Sequence, residues 1–243
     1  MRKLIVVLIF FTSNLGISQI LSGEITYGVR MDEVALQKII NSVKDNSFKK
    51  DYLIKLHNDL KSSIKYLNYT LKFNTNESNF NRKETLANDN GIDLNMSSMA
   101  VSANGIFYSN LKENVNLHQV EFSGESYLLS KNIDYNWQIT TETKIIQGYK
   151  CYKAISKVTK NSKNFITTAW FCPRLSFQHG PKGFNDLPGL ILELKYLDRF
   201  IFYTKNIKLR ENEIKINRPT KGNNMTQKKF DKFLKNRMNS MKN

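Results

Sequence analysis

A chain of 243 residues, 40% of them hydrophobic, can bury one good core, and no Pro-, Gly- or Ser-rich linker divides it, so a linker-joined set of domains is excluded. The formal charge of +16 comes from 29 Lys and only 8 Arg. Dispersed lysines give a diffuse field that attracts polyanions, whereas a specific reader of nucleic acid favours the arginine fork, so no specific nucleic-acid partner is expected.

The first residues, Met1-Arg2-Lys3, then Leu4 to Phe11, then Thr12 to Ser18, have the positive, apolar and small-polar regions of a secretory signal, with cleavage expected after Ser18. The apolar run is too short for a membrane anchor, and no later stretch is long enough. No cysteine stands at the cleavage site, which argues against a lipid-anchored form. Residues 1–18 therefore read as a signal peptide, 19–225 as one β-rich domain, and 226–243 as a basic amphipathic helix or tail. The expected location is periplasmic, outer-membrane associated or secreted.

Gly23 to Arg30 places Ile25, Tyr27 and Val29 on one face and reads as a first strand. Two helices follow, one marked by Leu36, Ile39, Ile40 and Val43, the other by Leu53, Leu56, Leu60 and Ile64, with Ser47 as a candidate cap between them. His57 beside the second stripe reads as a surface or boundary histidine. From Tyr66 the period becomes two, with Leu67, Tyr69, Leu71 and Phe73 on one face, and Asn74-Thr75-Asn76 turns the chain toward Ser78 to Glu84. The segment 86–95 is ambiguous. Asn104-Gly105 predicts a hairpin between Met99 to Ala103 and Ile106 to Ser109. Further strands are expected at Asn116 to Phe122, Tyr127 to Ser130 and Tyr135 to Thr140, with Ser123-Gly124 turning between the first two.

If Asn161-Ser162 is a two-residue loop, opposed residues in the flanking strands have numbers summing to 323. Tyr152 then meets Phe171, Lys153 meets Trp170, Ala154 meets Ala169, Val158 meets Phe165, and Cys151 meets Cys172. Two cysteines in an exported chain suggest a disulfide, although direct cross-strand bridges are strained. Two free thiols, or a ligand pair with His179, are the alternatives.

The stretch from Gln178 to Leu190 crowds glycine, proline and short polar residues between two hairpins and forms either a rigid corner or the rim of a pocket. Pro188-Gly189 predicts a type II turn launching the strand that begins at Leu190. Asp198-Arg199 predicts a hairpin that sets Leu194 opposite Tyr203 and Tyr196 opposite Ile201, with Glu193 on the other face. Phe230, Phe233, Leu234 and Met238 share one face of a terminal helix surrounded by lysines. That tail could meet an anionic membrane, dock on the domain, or fray.

Trp137-Gln138-Ile139, Glu142 to Ala154, Ala169-Trp170-Phe171, Gly180-Pro181 and Leu187-Pro188-Gly189-Leu190-Ile191, in that order, resemble the GLPGLI family of exported bacterial proteins. Asp186 replaces the first glycine of the motif. The family has no established activity, so the resemblance implies class and compartment.

The expected fold is mainly β (α+β), a curved antiparallel sheet or half-barrel with two N-terminal helices packed on one face, similar at fold level to periplasmic lipoprotein carriers. No serine elbow, zinc-helix motif or phosphate loop is present. No metal or cofactor is expected, and the chain reads as a non-enzymatic binder of a lipid, peptide or envelope protein. Anionic surface contact through the lysines is a further expectation. The candidate loop residues are His179, Lys182, Phe184, Asp186, Pro188, Gly189 and Glu193. A metal-dependent or hydrolytic site around His179, Asp186 and Glu193, and a purely structural module, are the alternatives.

Overall fold

The computed structural model describes residues 20–43, 47–83, 93–131, 134–160 and 163–240. The secretory segment 1–18 and the Asn161-Ser162 turn lie outside the described residues. In chain order the elements are β1 (Ser22–Met31), α1 (Glu33–Ser42), α2 (Ser47–Ile64), β2 (Asn68–Asn74), β3 (Glu77–Arg82), α3 (Leu94–Ala100), β4 (Ile106–Asn110), β5 (Val115–Phe122) and β6 (Glu125–Ser130). There follow β7 (Gln138–Ile146), β8 (Tyr149–Lys160), β9 (Lys163–Cys172), a single 3-10 turn (Pro181–Gly183), β10 (Leu190–Tyr196), β11 (Phe200–Arg210), β12 (Asn223–Thr226) and α4 (Gln227–Ser240).

The strands form one open sheet in the order β12-β6-β5-β4-β3-β2-β1-β11-β10-β9-β8-β7. Every pair is antiparallel except β12 with β6, which makes the sheet mixed rather than purely antiparallel. Alternation sets its two faces. Ile25, Tyr27 and Val29 of β1, and Tyr69, Leu71 and Phe73 of β2, are all buried on one face, while Lys72 points to solvent. Tyr69, Phe80 and Phe202 bring three strands together in this core, with ring centroids 5.1 to 6.1 Å apart.

Helices close the core face. Ile64, Leu67, Val101 and Ala103 from the α2–α3 region pack into the main core, and Tyr69 Oη meets Ser98 Oγ at 2.9 Å. At the other end, Phe230 of α4 joins Val120, Tyr127 and Leu129, so the C-terminal helix is docked. The inward stripe of α2 is rotated from the expected one. His57, Leu60 and Ile64 turn inward, whereas Leu56 is half exposed. His57 is therefore buried, 3.4 Å from Glu33 across α1.

The β8–β9 register follows the expected sum, with Tyr152 opposite Phe171, Lys153 opposite Trp170, Ala154 opposite Ala169 and Val158 opposite Phe165. Ser123 and Gly124 both take positive φ, as the two-residue turn requires.

Three expectations are corrected. Residues 99–103 make no strand. Asp93 caps α3 by accepting from the Asn95 and Met96 amides at 2.8 and 3.1 Å, which draws the chain into a helix. Gly105 instead allows close approach to β5, since a Cβ there would lie 2.1 Å from Gln119 O.

The strand expected at 135–140 starts later, at Gln138, because Tyr135 and Trp137 are drawn to the central loop. The β10–β11 register shifts by one, giving Leu194 opposite Phe202 and Tyr196 opposite Phe200. Its loop holds three residues, with Leu197 and Asp198 at positive φ. The shift puts Leu194 and Phe202 together on the core face.

Candidate functional site

The segment between Cys172 and Leu190 leaves β9, crosses the core face and returns as β10. Backbone hydrogen bonds tie its two sides together, from the Leu190 amide to Leu175 O and from the Ile191 amide to His179 O, both 2.9 Å. Its 3-10 turn lies against β3 and β4, although β9 and β10 flank it in sequence. The sheet thus curves round the loop, and the loop fills the trough.

His179 is fully buried, with Nε2 3.1 Å from Asn74 O at the β2–β3 turn. Burial lowers its pKa to about 4, so the ring is neutral and serves as a core strut. Lys182 takes φ +60 and is also buried. Its Nζ donates to Ser102 O at 2.6 Å and stands 3.5 Å from the centroid of the Tyr196 ring. Phe184 sits among Tyr135, Tyr196 and Trp137, at 4.8, 5.8 and 6.1 Å. Tyr135 Oη donates to Gly183 O at 2.8 Å, and Trp137 Nε1 donates to Asn185 O at 2.9 Å. Burial raises the Tyr135 and Tyr196 hydroxyls, the latter to about 12, so both stay protonated hydrogen-bonding groups.

Asp186 is exposed at φ +68, and desolvation followed by the nearby Asp134 raises its carboxyl. Pro188 is exposed, and the expected type II turn is absent. The Gly189 amide donates to Leu187 O at 2.7 Å, closing a three-residue γ-turn, and Gly189 takes φ +150 in place of the roughly +80 that a type II turn needs. A Cβ on Gly189 would lie 2.2 Å from Cys172 O, so only glycine fits there.

Glu193 stands apart on the outer face, next to Lys144 at 2.7 Å and Arg30 at 3.5 Å. The structure therefore gathers His179, Lys182, Phe184 and Gly189 into a packed plug, with His179 in the core, Asp186 exposed and Glu193 paired on the outer face rather than converging. Among the described residues no group of three His, Cys, Asp or Glu could hold a metal.

Cys151 and Cys172 are both buried and free, so the expected bridge is not formed in this structure. The β8–β9 ladder ends at Tyr152 and Phe171, and Cys172 pairs instead with Leu190 on β10. Cys151 Sγ lies 3.5 Å from Tyr149 O. Burial, then the neighbouring Cys172, raises the Cys151 thiol to about 12.

The sequence reading missed the partners of the plug. Tyr135 and Trp137 alternate in sequence, and that spacing was available as a signal for two side chains on one face. Tyr196 and the buried placement of Lys182 had no such signal. Also missed was the uncovered end of the core face. β7 pairs on one side only, with β8, among the described residues. Ile139 opposite Ala154 and Ile145 opposite Lys150 both face the core side, yet they are 54% and 68% exposed.

With this geometry in view, residues 156–193, which run from β8 through the plug into β10, match a family described as "Protein of unknown function (Porph_ging)". No curated protein sequence matches the chain. Its fold is similar to that of "Structure of PNGF-II in C2 space group", with a TM-score of 0.54 and 15% identity over 88% of this chain and 32% of that one. A second structure, "Structure of PNGF-II in P21 space group", gives a TM-score of 0.51 and 14% identity over 87% of this chain and 32% of that one. The chain thus spans about a third of the PNGF-II chain, and the likeness is one of fold.

Proposed function

We propose that this chain is a GLPGLI-type exported protein without catalytic activity, which binds a partner polypeptide in extended form along β7 and the adjoining core face. One observation carries the reading. The plug, the α2–α3 region and α4 cover the core face, and among the described residues Ile139 and Ile145 stay exposed at its β7 end, on a strand that pairs on one side, with β8. Such an edge takes up an added strand through main-chain hydrogen bonds, with apolar side chains setting the preference. The secretory pattern of residues 1–18 supports export, and the motif Leu187-Pro188-Gly189-Leu190-Ile191 supports the family reading. The loop acts in this scheme as the strut that keeps the trough in shape.

The test uses mature protein purified without refolding and a synthetic peptide alternating Val with Thr. Hydrogen exchange at the β7 amides is expected to slow when the peptide is added, and Ile139→Lys with Ile145→Lys to abolish the effect. Unchanged exchange in the parent protein, with native mass spectrometry finding no retained peptide or lipid, would remove the proposal.

A further inference from the structure

The α1–α3 layer has an outer surface that the core does not use. Val34, Tyr52, Leu56, Met96 and Met99 are from 46% to 66% exposed on these three helices, with Ile54, 40% exposed, on the other flank of α2. Tyr52 and Leu56 are four apart on α2 and share a flank, Met96 and Met99 are three apart on α3, and α2 touches α3. Lysines accompany them. Residues 47–66 hold five lysines against two aspartates. Lys55 and Lys65 are exposed and Lys50 is half-buried, and Lys65 lies 4.9 Å from the Tyr66 ring centroid.

We propose that this helical layer rests on an anionic lipid bilayer, with the leucine, methionine and tyrosine side chains at headgroup depth and the lysines among the lipid phosphates. The combination selects that partner. A soluble polyanion needs only the lysines, and would leave the apolar side chains in water. A bilayer interface takes both, since tyrosine and lysine each place an apolar body below a polar tip. Charge complementarity points the same way, because the whole chain carries +16. No helix of the described residues is long and apolar enough to cross a membrane, so the contact is peripheral.

α4 provides an internal contrast. It is equally lysine-rich, but its Phe230, Phe233 and Leu234 are already packed on β5 and β6. Lysine density alone is thus common to both helices, and only the α1–α3 layer adds unused apolar side chains.

The experiment is co-sedimentation of the mature protein with vesicles of phosphatidylcholine containing about 30% phosphatidylglycerol, in about 0.1 M salt. The protein should partition onto these vesicles and not onto pure phosphatidylcholine. Each lysine near such a surface is worth about fivefold in partitioning, so Lys50→Glu with Lys55→Glu should reduce it by at least about tenfold. The same change at Lys228 and Lys229 on α4 should reduce it by about twofold or less. Tyr52→Ser with Leu56→Ser, which changes no charge, should also weaken binding, and circular dichroism checks that each variant is folded. Failure to bind the anionic vesicles overturns the proposal and leaves a protein partner for this surface. Equal effects of the two lysine pairs, or no effect of the apolar pair, would also overturn it, by showing attraction without a seat.

Discussion

Acidifying the protein from about pH 7.5 to about pH 5 is expected to cost roughly 4 kcal/mol of stability, mostly through two imidazoles. His179 is buried against Asn74 O with a pKa of about 4. His118 is buried on β5 opposite Phe107 of β4, stacked on that ring at 4.0 Å and 2.8 Å from Asn104 O, and burial followed by Lys131 lowers it to about 3. An unfolded histidine titrates near 6.5, so in both cases the folded value lies below the unfolded one. The unfolded chain then binds more protons once the pH drops below about 6.5. Stability is fully present above that value and is lost as the pH falls toward the folded values. At pH 5 each unfolded imidazole is about 1.5 units below its pKa, worth about 2 kcal/mol, and neither folded one has yet charged. Asp32 and Glu33, held below the usual carboxylate range chiefly by Lys195 and Lys61, lose their contribution only at lower pH. Urea midpoints at the two pH values measure the change. His179→Gln and His118→Gln should each remove about half of it, whatever they do to stability at neutral pH. A midpoint that stays put in the parent protein, or full pH dependence in both variants, would refute the reasoning.

Other outcomes follow from the plug and its supports. Gly189→Ala should lower stability by about 3 kcal/mol in the same urea assay, from a strained φ and a collision with Cys172 O. Asp186→Gly should be neutral or slightly stabilising, whereas Asp186→Val should cost roughly 1–2 kcal/mol, because φ +68 suits glycine, tolerates aspartate and penalises a β-branched side chain. Phe230→Ala should cost about 3 kcal/mol and expose α4 to limited proteolysis, since Phe230 is the buried anchor of that helix. The two thiols should resist Ellman's reagent in the folded protein and react in urea. Two equivalents in urea would match the free pair seen here, and none would show that the pair had been oxidised to a bridge.

What could be read beforehand depended on how local the determinant was. Leu67, Tyr69, Leu71 and Phe73 declare a strand by alternation alone, and the β8–β9 register follows from one assumed turn. The β10–β11 register did not, because choosing between a two- and a three-residue loop depends on whether Leu197 can take positive φ, and burial of Leu194 against Phe202 decides that. Asn104-Gly105 carried a hairpin signal, but the Asp93 cap and the approach of Gly105 to Gln119 O gave the glycine another use. Within the loop, the turn-forming residues could be recognised, and their burial could not. Lys182 would be assigned to the surface by its type, and residues brought from elsewhere in the chain, Tyr196 and Ser102 among them, make an interior place for it. Asp186 stands where the GLPGLI motif that this stretch resembles has glycine, and its φ of +68 is one that glycine adopts freely.

The place of β1 in the sheet has a consequence for how such a chain is made. β1 lies between β2 and β11, so Ser22 is laid against Asn74 on one side and Arg210 on the other. A polypeptide emerging N-terminus first can assemble β1 to β6 as a growing meander. The second edge of β1, with Tyr27 already aimed at a carbonyl of Ile191, must wait until nearly the whole chain has been delivered. Pairing across so long a separation is slow, and the waiting edge is open to other chains. Folding of this protein is thus a closing step at the middle of the sheet, so C-terminal truncations that remove β11 should strand the N-terminal half rather than trim its margin.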